Sequence, residues 1–294
     1  MQSCSLCPHV CRASRNESVG NGFCGLPETP FLARAALHTG EEPCFGTAGA
    51  VFFAGCTLRC VYCQNHTISR KATGIPVSVE RLADIFRELV EQGADVIDLV
   101  SPTPFIPAIV AALSQYRPPV PVVYNSSGYE RVETLRALDG MVDVYLPDLK
   151  YVSSSLSKAL SGVDDYPETA LAAIAEMVRQ TGRMQLDEHG RVLKGTLVRH
   201  LVLPGHTKES LLVLDRLADI ADIWVSLLFQ YTPVIEVTGH PELSRRLTGR
   251  ECDKVFSHMI ACGLTDGYVQ DRESAKAAYI PIFDGTGVER SALS

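Results

Sequence analysis

Between residues 50 and 230 a short apolar run alternates six times with a stretch of helical periodicity, and this limits the available folds more than any other feature. The apolar runs lie at 51–55, 95–100, 121–124, 142–146, 196–203 and 223–229, each bounded by Gly, Pro, Asn, Asp or Ser, as buried strands are. After the first run Leu82, Ile85, Phe86, Leu89 and Val90 repeat at i, i+3, i+4, i+7, i+8, with Ser78 as N-cap and Gly93 as stop. Further helices are expected at 105–113, through Val132, Leu135 and Leu138, from Pro167 through Ile174 and Val178, and through Leu211, Leu214 and Leu217. Such alternation specifies a parallel sheet with right-handed crossovers. Six units fall short of the eight that close a barrel. The expectation is an α/β fold: a partial, open (β/α)6 TIM-like barrel over 46–240. A cysteine-rich N-terminal metal-binding segment (1–45) precedes it, and a C-terminal extension packed on the barrel (241–294), helical near 243–262 and then irregular, follows.

A chain of 294 residues can bury one large core, and 46% hydrophobic with 21% charged residues argues against extended disorder. A formal net charge of −7 creates no field that attracts a polyanion, so nucleic acid is disfavoured, though a local basic patch is not excluded. No apolar run is long enough to span a bilayer, and Met1-Gln2-Ser3-Cys4 does not read as a signal peptide, so no membrane role is expected. Ten cysteines, several clustered as Cys-x2-Cys, then indicate metal binding in a reducing compartment, and a cytoplasmic protein. On that reading the glycosylation-like triplets at Asn16, Asn65 and Asn125 are chance matches.

The first strand feeds Cys56-x3-Cys60-x2-Cys63. Thiolates are soft ligands that suit iron–sulfur clusters, zinc or Cu(I). A structural zinc site or an ordinary cluster takes four protein ligands; three leave one metal atom open. Upstream, Cys4, Cys7, Cys11 and Cys24 form a second set in a segment too short for its own core. The spacing does not decide between zinc and a second cluster relaying electrons to the first, and zinc is favoured because four thiolates fill its tetrahedral shell. Cys44 reads as a packed thiol, His66 as a loop residue, and Cys252 and Cys262 as helix-core thiols. Residues 20–25 match G-x-G-x-x-G but lack the strand and helix that a dinucleotide site requires.

In parallel α/β folds the site lies at the carboxyl ends of the strands. Those ends carry the loop cysteines, Ser101 and Thr103, Asn125 and Ser127, Asp148 and Lys150, His200 and His206, and Gln230 and Tyr231. Asp148 and Lys150 are two apart and face one side, as a structural ion pair or as ligand contacts. Arg199, inside an apolar strand, needs a carboxylate from the protein or from a ligand.

Cys56-x3-Cys60-x2-Cys63, with Tyr62 before the last cysteine, resembles the cluster loop of the radical S-adenosylmethionine (SAM) superfamily. The chain is also similar to its PflX-type, pyruvate formate-lyase-activating-enzyme-like group. That similarity runs through Cys4-Ser5-Leu6-Cys7-Pro8, Gly22-Phe23-Cys24-Gly25, Tyr124-Asn125-Ser126-Ser127-Gly128-Tyr129-Glu130, Leu146-Pro147-Asp148-Leu149-Lys150-Tyr151, Arg199-His200-Leu201-Val202-Leu203-Pro204 and Gln230-Tyr231-Thr232-Pro233. The resemblance implies a [4Fe-4S] cluster on Cys56, Cys60 and Cys63 whose fourth iron is chelated by SAM, and an electron donor such as a flavodoxin or ferredoxin. It implies reductive cleavage of SAM to a 5′-deoxyadenosyl radical that abstracts hydrogen from a protein or peptide substrate, such as the glycine of a glycyl-radical enzyme. The same chemistry on a small molecule or RNA, and a non-catalytic iron–sulfur electron carrier, are the alternatives. Tyr62, Ser101, Thr103, Asn125, Ser127, Asp148, Lys150, Arg199 and Gln230 are the candidate SAM contacts. Three features depart from glycyl-radical activases: Ser101-Pro102-Thr103-Pro104 stands where they carry Gly-Gly-Glu, Gln230-Tyr231-Thr232 lacks their histidine, and the four-cysteine N-terminal segment is absent from the simplest of them.

Overall fold

The structure, a computed structural model, describes residues 3–15, 21–70, 73–270 and 281–289. The Asn16 triplet, Gly20 and part of the expected irregular tail lie outside the described residues. In chain order the elements are β1 (Phe31–His38), β2 (Ala48–Phe53), α1 (His66–Ser69), β3 (Ile75–Pro76), α2 (Val79–Glu91), β4 (Val96–Val100) and α3 (Ile106–Gln115). There follow β5 (Val122–Ser126), α4 (Val132–Leu135), β6 (Val144–Pro147), α5 (Ser154–Ser161), α6 (Tyr166–Thr181), β7 (Gln185–Leu186) and β8 (Val192–Leu201). The last are α7 (Thr207–Ala218), β9 (Trp224–Leu228), α8 (Gly249–Ala261) and β10 (Gly267–Gln270).

The six expected strands are β2, β4, β5, β6, β8 and β9, paired in that order and all parallel. The sheet ends do not pair with each other among the described residues, so the barrel is open. Both edges carry additions. β10 extends the parallel sheet beside β9, and β1 lies antiparallel on β2, with β3 beyond it.

Local sequence sets the helices. On α2 the Ser78 hydroxyl accepts the Arg81 backbone N–H at 3.1 Å, satisfying one free donor of the first turn. Its buried face is Leu82, Ala83, Ile85, Phe86 and Leu89, the expected stripe except that Val90 is only half-buried. Full burial of one such side chain is worth about 1.5–3 kcal/mol. Pro167 stands in the first turn of α6, and Thr248 and Glu251 form a reciprocal capping box on α8. No helix of the described residues is long and apolar enough to cross a membrane.

Candidate active site at the barrel mouth

The carboxyl ends of the parallel strands surround a cavity of about 250 Å³. Cys56, Cys60, Cys63, Tyr62, Ser101, Asn125, Ser127, Asp148, Lys150, Arg199 and Gln230 all line it. Strand parity explains much of this convergence: 125 and 127, 148 and 150, 199 and 201, and 228 and 230 are pairs two apart, so both members face the cavity. Thr103 is placed elsewhere. Ser101 takes a positive φ of 57°, the chain turns into a short 3-10 helix, and the buried Thr103 hydroxyl donates to Glu130 at 2.6 Å.

The cysteine loop is fixed from several sides. Gly55 has φ +80°, and a Cβ there would lie 2.3 Å from the Leu26 side chain, so glycine is required by both conformation and space. Gly55 N–H donates to the Ile68 carbonyl and Val61 N–H to the Leu160 carbonyl, each at 2.8 Å, while the Arg70 guanidinium donates to the Cys60 carbonyl at 2.7 Å. Each sulfur has a partner: Leu58 N–H to Cys56 at 3.4 Å, the Ser161 hydroxyl at Cys60 at 3.0 Å, and the Ser69 hydroxyl to Cys63 at 3.5 Å. Burial pushes the Cys56 thiol up to about 12 and raises that of Cys60 as well. Ligation must therefore displace protons. Among the described residues the three sulfurs do not all lie within 4.8 Å of one another, as a single ion would require. A cluster spreads its thiolates over separate irons, so this donor set fits a cluster with three protein ligands.

The polar wall is ordered by partners that neighbouring residues do not reveal. Lys150 is ion-paired with Asp148. Burial opposes the ammonium charge, but the surrounding groups together, Asp148 first among them, outweigh it and the pKa is raised. The Tyr166 hydroxyl accepts Lys150 N–H at 2.9 Å and lies 2.8 Å from the carbonyls of Ser127 and Asp148, fastening the β5 and β6 ends together. Gly128 (φ +77°) permits this approach, because a Cβ would lie 2.2 Å from the Asp148 carbonyl oxygen. Arg199 is engaged by protein carboxylates: Glu42 at 2.7 Å through Nε, and Glu41. Asn125 donates to the buried Asp98 at 3.2 Å. His200 turns away from the cavity, its Nδ1 on the Leu149 carbonyl at 2.8 Å and its Nε2 on Ser210 at 2.9 Å.

Sequence reasoning missed Tyr151 and Ser161. Their hydroxyls link Tyr62 (2.6 Å to Tyr151) to Cys60 through a 3.0 Å Tyr151–Ser161 contact. Tyr151 follows Lys150 directly, which was the available signal; Ser161 lies on the serine-rich α5, which has none. Glu41 and Glu42 were missed as well. His66 opens α1 instead of lying in a loop. Cys44 is packed as expected, but Cys262 is half-exposed, 3.5 Å from Asp215, and is not a core thiol.

Comparison with known proteins gives the same reading. The family model of the radical SAM superfamily matches residues 50–218. An uncharacterized protein of Methanocaldococcus jannaschii, MJ0674, is 30% identical over 267 residues, covering 87% of this chain and 73% of that protein. Among solved structures, Streptococcus suis SuiB bound to its precursor peptide SuiA is similar, with a TM-score of 0.52 at 11% identity. The match covers 74% of this chain and 47% of SuiB, about half its length. Methylornithine synthase (PylB) matches with a TM-score of 0.51 at 12% identity, over 84% of this chain and 73% of that one. With over half its length matched by the family model and a three-cysteine loop at the mouth of an open parallel barrel, the chain belongs to the radical SAM superfamily.

Proposed function

We propose that the chain holds a [4Fe-4S] cluster on Cys56, Cys60 and Cys63, binds SAM beside it, and directs the resulting radical at a protein or peptide hydrogen. One observation carries this reading: three cysteines, with no fourth among the described residues, line one cavity together with polar residues from successive strand ends. The bound cluster and SAM would supply one-electron cleavage of the sulfonium and, from it, a radical able to abstract hydrogen. The chain's own residues hold and orient. Asp148 and Lys150 present opposite charges on one wall for SAM's charged groups, and Asn125, Ser127 and Gln230 offer neutral donors and acceptors for its uncharged ones. Cys60 is buried, while Cys56 and Cys63 stay partly open to the cavity where SAM would sit. A low-potential flavodoxin- or ferredoxin-like protein is the matching electron donor in a cytoplasmic setting.

A neighbouring groove of about 520 Å³ that shares His38, Phe52 and Pro281 with the cavity supports a substrate of peptide size. Arg34, Leu37, Ile282 and Asp284 give it both charge and apolar surface, which suits an extended peptide. SuiB, on the same fold, is bound to a precursor peptide. Activation of a glycyl-radical enzyme is the PflX-type version of this reading.

The test is anaerobic. Protein reconstituted with iron and sulfide, reduced and given SAM should form 5′-deoxyadenosine, and a peptide or protein substrate should increase its yield. Absence of the nucleoside from fully loaded protein contradicts the proposal. Stimulation by small molecules or RNA alone contradicts the substrate class.

A further inference from the structure

We propose that Cys4, Cys7, Cys11 and Cys24 hold a second [4Fe-4S] cluster, ligated wholly by the protein and seated against the loop that holds the first. None of the four is in a disulfide, and the Cys11 sulfur lies 3.0 Å from where a Cβ on Gly22, two residues before Cys24, would stand, so the two ends of the segment come together. The backbone is bent to bring them together. Cys4 N–H donates to the Ala13 carbonyl at 3.0 Å and Arg12 N–H to the Cys4 carbonyl at 2.9 Å. Val10 and Arg12 adopt positive φ of 40° and 52°, a region side chains disfavour and a ligand can repay.

Spacing separates a cluster from zinc. Bonds of about 2.3 Å place the sulfurs of a tetrahedral zinc site about 3.8 Å apart. Among the described residues no three of these thiols lie within 4.8 Å of one another, although Asp215, His258 and Cys262 on the far helices do. Like Cys56, Cys60 and Cys63, the N-terminal thiols are thus not gathered around one ion, and a cubane, which spreads its thiolates over separate irons, accepts such spacing.

An independent observation is Arg15. It is 5% exposed, donates to the Leu26 carbonyl at 3.1 Å, and places its guanidinium 4.0 Å from the Cys4 sulfur. Among the described residues no carboxylate pairs with it. A buried cation needs an anion, and a four-thiolate cluster carries net negative charge.

The segment is docked on the first cluster's loop. The His9 ring bonds the carbonyl of Thr57, the neighbour of Cys56, at 2.8 Å. Phe23, the neighbour of Cys24, stacks on His9 with centroids 3.8 Å apart and lies under the Arg59 guanidinium at 4.4 Å. Arg131 fastens the Ser5 carbonyl at 2.7 Å. A cluster with four protein ligands has no iron open to SAM; it can accept one electron from a low-potential carrier protein and pass one to its neighbour, with no bond made or broken. That role rests on the proposed function, whereas the site itself does not.

The test counts metal and reads electron paramagnetic resonance on the full chain, purified anaerobically and reduced. About eight irons with no zinc are expected, with two cluster signals of which SAM perturbs one. The Cys7→Ser/Cys24→Ser variant should lose about half the iron and the SAM-insensitive signal. Should that variant fail to fold, the Cys56→Ala/Cys60→Ala/Cys63→Ala variant isolates the second site, with about four irons and only the SAM-insensitive signal. One zinc with about four irons in the wild type, or an iron-free triple variant, overturns the proposal. A SAM-insensitive signal found without any SAM-perturbed one would refute the proposed function and leave this site standing.

Discussion

Two cysteine loops meet at the barrel mouth, and they are built in opposite ways. The loop at 56–63 leaves a fully buried strand, β2, and is held by backbone bonds to Ile68 and Leu160. The described residues of the 4–24 segment, 4–15 and 21–24, form no strand or helix, and they are held by His9, Phe23, Arg59 and Arg131. In the first the fold positions the three proposed ligands without help from a metal. In the second, on the proposal above, the metal would complete the fold, as it does in small metal-bound segments.

The largest effects should divide along this line. Cys60→Ala should reduce 5′-deoxyadenosine formation to background while the melting temperature of the metal-free protein barely changes, because the core supports the loop. A large fall in that temperature would show that the thiol is structural. Stripping metal with a chelator should abolish amide-exchange protection at residues 3–15 and 21–26 and leave β4–β9 protected. Uniform loss of protection would erase the distinction.

Glu130 sharpens the comparison, because it lies between Tyr129 and Arg131, both of which touch the N-terminal segment. It is 1% exposed, and burial pushes its carboxyl from 4.5 up to about 7, against a bond from Thr103. The folded state therefore holds this proton more tightly than the unfolded one. The stability it contributes is complete below pH 4.5 and is lost as pH rises through about 7. The loss is about 3 kcal/mol. Glu130→Gln should flatten urea stability between pH 4.5 and pH 8; an unchanged slope would remove Glu130 as the cause.

Smaller effects test the joint between the loops. Gly55→Ala places a methyl on Leu26 and should cost about 1–3 kcal/mol, with faster exchange at residues 21–26. His9→Ala removes the Thr57 bond and the Phe23 stack. It should cost about 1 kcal/mol and leave iron at Cys56, Cys60 and Cys63 unchanged.

The sequence reading reached the barrel and most of the mouth because both rest on local periodicity: buried strands as apolar runs, and mouth residues at their carboxyl ends two apart. What it missed lacks such a signal. β10 has four residues and no apolar alternation, β1 interrupts its apolar residues with Arg34, and α5 is half serine. The partners of Arg199 lie 157 and 158 residues away, in a stretch that reads as a polar turn before Pro43. Charge pairing across that separation depends on topology, not on spacing. Thr103 shows the converse error, since a strand-end hydroxyl points inward only if the turn after the strand allows it.

The central claim is that the loop cysteines leave one iron open to SAM. Electron–nuclear double resonance on the reduced protein with SAM labelled at its amino nitrogen and carboxylate oxygens tests it most directly. Hyperfine coupling from both labels to the cluster, retained in Cys7→Ser/Cys24→Ser, is the predicted result. A fully loaded, reduced cluster showing no coupling to either label would contradict the account.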